Sequence, residues 1–120
     1  MKLHAVKTLD GRARYNPQTA TIDVEVPATA ALLEGALIHE LAHHMEFQCA
    51  AHTDLRPAFL SAQNLQPDTP WFEGVSWAET PSEQYAEAVV ILVLGRRQLP
   101  TEADVSPIAV QALADWAQSK

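Results

Sequence analysis

Between Thr29 and Ala51 the chain has no proline and a single glycine, and Leu33, Leu37, Leu41 and Met45 recur every fourth residue. That spacing predicts a long helix with one apolar stripe, which the rest of the chain must cover. Ahead of it, Thr21 to Val26 alternates strictly, with Ile22, Val24 and Val26 on one face. A half-buried strand stopped by Pro27 is expected there. Arg12 to Tyr15 is also extended, and the turn residues Asn16-Pro17-Gln18-Thr19 join the two as a hairpin. His4 to Leu9 is a further candidate strand, broken at Asp10-Gly11.

The second half reads as helices around one loop. Asp54 is placed to cap a short helix that carries Pro57 and reaches about Asn64. Leu65 to Thr80 holds Pro67, Pro70 and Gly74 among Trp71, Phe72 and Trp77, and reads as a structured loop. Thr80-Pro81-Ser82-Glu83 opens the next helix. Its later part, Ala88 to Leu94, is apolar all round and so belongs at the centre of a core. Gly95 ends it, with Arg96 and Arg97 complementing the helix dipole. Ser106-Pro107 starts a last helix with Ile108, Ala112, Leu113 and Trp116 on one face. The expectation is one α+β domain over residues 1–120, a small N-terminal sheet or hairpin packed on the long helix and followed by two main helices.

Composition narrows the function classes. A hydrophobic share of 48% suffices for a core, while the longest apolar run, Ala88 to Leu94, is too short to span a bilayer. Eight basic residues against fifteen acidic ones give a net charge of -7. Nucleic-acid binders need a basic face for phosphate, so neither nucleic acid nor membrane is an expected partner. No secretory apolar stretch follows Met1-Lys2-Leu3-His4, and Cys49 is the sole cysteine, which forbids an intramolecular disulfide. A cytoplasmic location is expected on those grounds.

The chemistry concentrates in His39-Glu40-Leu41-Ala42-His43, an H-E-x-x-H pattern inside the predicted helix. Positions four apart are offset by about 40° around the axis, so both imidazoles face one way. Their nitrogens can share a cation at about 2.0–2.1 Å. Glu40, turned by about 100° from His39, flanks that cation and can take a proton from water. Catalytic zinc takes three protein ligands and keeps one position open. The extended form H-E-x-x-H-x-x-G-x-x-H is excluded, because Glu46 and Cys49 stand where Gly and His are needed. Cys49 lies well round the helix from the metal face and is read as structural. Glu83 and Glu87 share a face at the start of the later helix. One carboxylate there can bind the metal, and one a turn away can hold a ligand histidine's other N–H. Glu83 has a rival role, since Thr80-x-x-Glu83 is also a capping box.

His39-Glu40-x-x-His43 followed in a later helix by Ser82-Glu83-x-x-Ala86-Glu87-Ala88 resembles the gluzincin zinc peptidases. The nearest likeness is to compact forms whose second motif reads Glu-x-x-Ala-Glu, such as the catalytic domain of anthrax lethal factor and small phage and bacterial zincin-like domains. The resemblance runs from roughly Arg12 to Leu94. It implies a minimal zincin-like fold, Zn²⁺ held by His39, His43 and Glu83, and Glu87 supporting a ligand histidine. It also implies that Glu40 is the general base for hydrolysis of peptide bonds in a peptide or protein substrate. One departure stands out: such enzymes place a Tyr or His near the metal as oxyanion donor, and where lethal factor has a Tyr just before the second motif, this chain has Ser76-Trp77. Tyr85 points away from Glu83, Tyr15 lies in the hairpin, and His4, His44 and His52 have no spacing that favours one of them as oxyanion donor.

The leading expectation is therefore a zinc-dependent metalloendopeptidase. Its peptide would add to a sheet edge near Ile22 to Val26. Trp71, Phe72 and Trp77 would serve either as specificity wall or as loop anchors. The alternative is a weak or inactive zinc-binding interaction module of the same fold, which the missing Tyr favours and the intact Glu40 opposes. An accidental motif without metal is the remaining rival.

Overall fold

Ile22 and Val24 are the buried residues around which the sheet is built. The computed structural model describes residues 1–7, 13–26, 29–95 and 103–119. Within them, β1 (Lys2–Val6), β2 (Ala13–Asn16) and β3 (Thr21–Glu25) form a sheet in the order β1-β3-β2. β2 and β3 make the expected antiparallel hairpin, with Tyr15 opposite Ile22. The Asn16 side chain closes its turn by accepting from the Gln18 N–H at 2.9 Å, and Ala20 takes φ 51°. β1 joins the other edge of β3 in parallel. No tight turn can make that pairing, which requires a crossover. The turn at Asp10-Gly11, the stop at Pro27 and the cations Arg96 and Arg97 lie outside the described residues.

Helices make up most of the remainder, which completes an α+β architecture. They are α1 (Ala30–Gln48), α2 (His52–Ala62), α3 (Pro81–Leu94) and α4 (Pro107–Gln118), with a 3-10 turn at Trp77–Glu79. Local chemistry sets their ends. The Thr29 hydroxyl accepts from the Leu32 N–H at 3.3 Å, and Ser106 caps α4 through the Ala109 N–H at 3.0 Å. α3 starts on Pro81 and stops at Gly95, whose φ of 79° is left-handed.

Among the described residues two apolar clusters result. Leu55 and Phe59 of α2, Tyr85 and Ala88 of α3, Leu113 of α4 and the loop residue Trp71 belong to the larger. Tyr15, Ile22 and Val24 form the smaller, with Leu33 and Leu37 of α1 against them. α1 therefore lies between sheet and helices.

Several sequence expectations need correction. The α1 stripe fails in its second half: Leu41 and Met45 are exposed, because the inward face there is occupied by Glu40, His43 and Glu46. α3 is not buried all round, since Leu92 and Val93 reach solvent. α2 begins at His52 after Ala51, so Asp54 lies in its first turn rather than at its cap. On α4 the inward residues are Ala109 and Leu113, while Ile108 is 70% exposed. No capping box forms at Thr80, whose hydroxyl donates to the Ser76 carbonyl at 2.8 Å. No described helix is long and apolar enough to cross a membrane.

Candidate metal centre

On α1, His39, His43 and Glu46 fall at i, i+4 and i+7, so one face carries all three toward α3. Glu83 sits in the first turn of α3 and Glu87 one turn on. The Glu83 Oε1 lies 2.9 Å from His39 Nε2 and 3.0 Å from His43 Nε2. The two Nε2 atoms are 3.2 Å apart. The four expected residues His39, His43, Glu83 and Glu87 are thus brought together, with Glu87 Oε2 2.8 Å from His39 Nδ1.

The outer contacts decide what the inner atoms can do. Glu87 receives the His39 Nδ1–H, and Glu46 receives the His43 Nδ1–H at 3.0 Å. Each imidazole then presents its Nε2 lone pair inward. In the neutral rings, two lone pairs and a carboxylate oxygen converge on one point, where they repel one another unless a proton or a cation lies between them. Burial opposes charge on His39, but the carboxylates of Glu83 and Glu87 outweigh it and lift its pKa to about 9. At His43 burial is likewise outweighed by Glu46 and Glu83, and the pKa rises to about 10. Burial would raise Glu83, yet the two imidazoles hold it down at about 2.

A divalent ion fits this triangle. Bonds of about 2.0–2.1 Å in tetrahedral geometry place ligand atoms roughly 3.3 Å apart. The observed separations need to open by only a few tenths of an ångström. His39, Glu40 and His43 each offer a ligand atom within 4.8 Å of the others. Glu40 is nonetheless set apart: its Oε2 is 3.7 Å from His39 Nε2, and its Oε1 accepts the Tyr15 backbone N–H. Burial raises the Glu40 pKa, against the pull of both imidazoles. A carboxyl so placed beside the triangle can hold or release a proton.

The surrounding cleft has a volume of about 430 Å³. Ala13, Arg14 and Tyr15 of β2 line one side, and Phe47, Phe72 and Trp77 line others. β3 is the central strand and has both edges paired, so a peptide cannot add along Ile22 to Val26 as the sequence suggested. β2 is the edge strand on this side. The three loop aromatics are placed differently. Trp71 is buried and donates its indole N–H to Glu46 Oε2 at 2.6 Å. Phe72 and Trp77 are about half exposed, Phe72 stacking on Phe47 and Trp77 on His39.

The remaining oxyanion candidates disperse. His52 is enclosed in the larger core, and His4 pairs with Asp23 on the exposed sheet. Tyr85 donates to the Ala42 carbonyl at 3.0 Å. The Tyr15 hydroxyl and His44 Nδ1 hydrogen-bond each other at 3.0 Å. Cys49 is half-buried at the end of α1, away from the triangle.

Sequence reasoning missed Glu46, Ser82 and Phe47. Glu46 had a readable signal, because it continues the His39–His43 face by one more turn. No protein-family model, curated protein or solved structure matches this chain, so the reading of the centre rests on its own geometry.

Proposed function

We propose that this chain is a zinc-dependent metalloendopeptidase. The observation that supports the reading is the convergence of His39 Nε2, His43 Nε2 and Glu83 Oε1 within 3.2 Å of one another, with Glu40 beside them. His39, His43 and Glu83 would hold the ion. Bound there, zinc supplies Lewis acidity toward a carbonyl and acidifies water near neutral pH.

The protein groups do the rest. Glu40, whose pKa burial raises and whose carboxylate the Tyr15 N–H aims, takes a proton from the attacking water and returns it to the departing amine. The outward edge of β2 aligns an extended peptide by backbone hydrogen bonds. Phe47, Phe72 and Trp77 exclude water and contact its side chains.

A second reading is favoured by one feature. Tyr15 is the tyrosine that lines the cleft among the described residues, and its hydroxyl is engaged by His44. A cleft whose tyrosine is so engaged suits a zinc-stabilised interaction module with little turnover.

Metal analysis and digestion of a broad peptide library by wild type and Glu40→Gln decide between them. We expect close to one zinc per chain in both proteins. Cleavage by the variant should fall by about 10²–10⁴, the usual contribution of a general base. Equal inertness with zinc bound would replace the peptidase with the module, and no zinc would remove both.

A further inference from the structure

Glu46 belongs neither to the ion-binding triangle nor to the proposed proton transfer, yet its side chain has no exposed surface. Both its oxygens are engaged. Oε1 accepts from His43 Nδ1 at 3.0 Å, Oε2 accepts from Trp71 Nε1 at 2.6 Å, and the Ser82 hydroxyl lies 2.8 Å from each. An indole N–H can only donate, so the oxygen facing it must accept. The other oxygen is then placed to receive the imidazole Nδ1–H, so that in the neutral ring the His43 lone pair is on Nε2, directed at His39 and Glu83. The backbone reinforces the arrangement, since the Ser82 N–H donates to the Trp71 carbonyl at 2.8 Å.

We infer that Glu46, clamped by Trp71 and Ser82, is a positioning residue that holds His43 in its metal-binding tautomer and ties the aromatic loop to the metal centre. The inference rests on the zinc reading above but not on catalysis. Three sequence-distant pieces meet in this clamp: the last turns of α1, the loop at Trp71 and the first turn of α3. Phe72 follows Trp71 directly and lines the cleft, so the clamp that orients the ligand also sets a cleft wall. Arg56 supports it from outside, with its guanidinium 5.3 Å from the Trp71 and Phe72 rings.

The test is zinc affinity of the full chain, measured by competition with a chromogenic chelator, with Co²⁺ absorption reporting ligand geometry. Glu46→Gln keeps the shape but offers one accepting oxygen and a donating amide. That amide must face either the indole N–H or the imidazole N–H. We expect zinc affinity to fall about 10–100-fold, with an altered Co²⁺ spectrum. Adding Trp71→Phe removes one of the opposed donors and should recover at least about threefold, a coupling that simple loss of packing would not produce. If Glu46→Gln does not fold, Ser82→Ala, which spares the carboxylate, should weaken zinc by about threefold or more. Zinc affinity within about twofold of wild type in whichever variant folds, with the Co²⁺ spectrum unchanged, overturns the inference, as does a double variant no better than Glu46→Gln. Wild type that takes up no zinc is a different failure, that of the metal centre itself.

Discussion

The five histidines of this chain are one residue type put to opposite uses by their surroundings. His39 and His43 face carboxylates, which hold them protonatable up to about 9 and 10 in the absence of an ion. His52 is boxed by Tyr85 at 4.4 Å, Trp71 at 5.6 Å and Trp116 at 5.9 Å, and its Nδ1 accepts from Arg56 at 3.3 Å. Burial pushes its pKa down to about 4. In the unfolded chain it would take up a proton near 6.5, whereas the native state resists until about 4. Between those values the unfolded state binds more protons. The stability is therefore whole above pH 6.5 and is lost as pH falls toward 4, an effect on the order of 3 kcal/mol. Denaturant titrations should show wild type losing that much more than His52→Gln between pH 7 and 4. Parallel curves for the two proteins would refute the assignment.

Among the described segments, the connection between α2 and α3 leaves no room at Gly74. A Cβ built on Gly74 would meet the Glu79 carbonyl carbon, its oxygen and the Thr80 nitrogen, each at 2.8 Å. These are backbone atoms of the 3-10 turn and the α3 cap, which cannot swing aside as a side chain can. Gly74→Ala should destabilise the fold by about 1–3 kcal/mol, the usual range for overpacking, as read by thermal melting. The Trp77 emission spectrum should shift as its stacking on His39 loosens. Unchanged stability would mean that the loop has slack the structure does not show. The elements themselves were largely legible in the sequence. Alternation marked β3, Asn16-Pro17 marked the hairpin, and Ser106-Pro107 and Gly95 marked helix ends, because each is decided by a local backbone preference. What escaped was non-local. The parallel partner of β3 depends on a crossover, and the inward face of α1 is set by which neighbours can satisfy Glu40, His43 and Glu46. The apolar spacing of Leu41 and Met45 therefore misled. The candidate site was legible where one helix carries it, at His39, Glu40 and His43. Glu46 continues that face by one more turn, yet its role was obscured, because an acid three residues past a histidine looks like a solvated pair until Trp71 and Ser82 arrive from elsewhere.

At the scale of the whole molecule, the candidate centre sits on the seam between the two apolar clusters. α1 supplies Leu33 and Leu37 to the sheet side and Ala42 to the helical side, with His39 and Glu40 between them. Across that seam run the Tyr15–Glu40 contact from β2 and the Glu83 and Glu87 contacts from α3. The sheet cluster is small, so an ion that fixes this seam should stabilise the fold as a whole. A ligand at 100 times its Kd contributes about 2.7 kcal/mol, and near this chain length each kcal/mol moves Tm by roughly 4 °C. Chelation should then lower Tm by about 10 °C. It should act unevenly: the Tyr15 amide and the first turn of α3 would lose hydrogen-exchange protection before the amides around Leu55, Phe59 and Leu113. A chelated protein with unchanged Tm and uniform protection would show that the seam is held by packing and protons alone. Removing the ion would then leave the two clusters joined as firmly as before, and the centre would have no structural share in the fold.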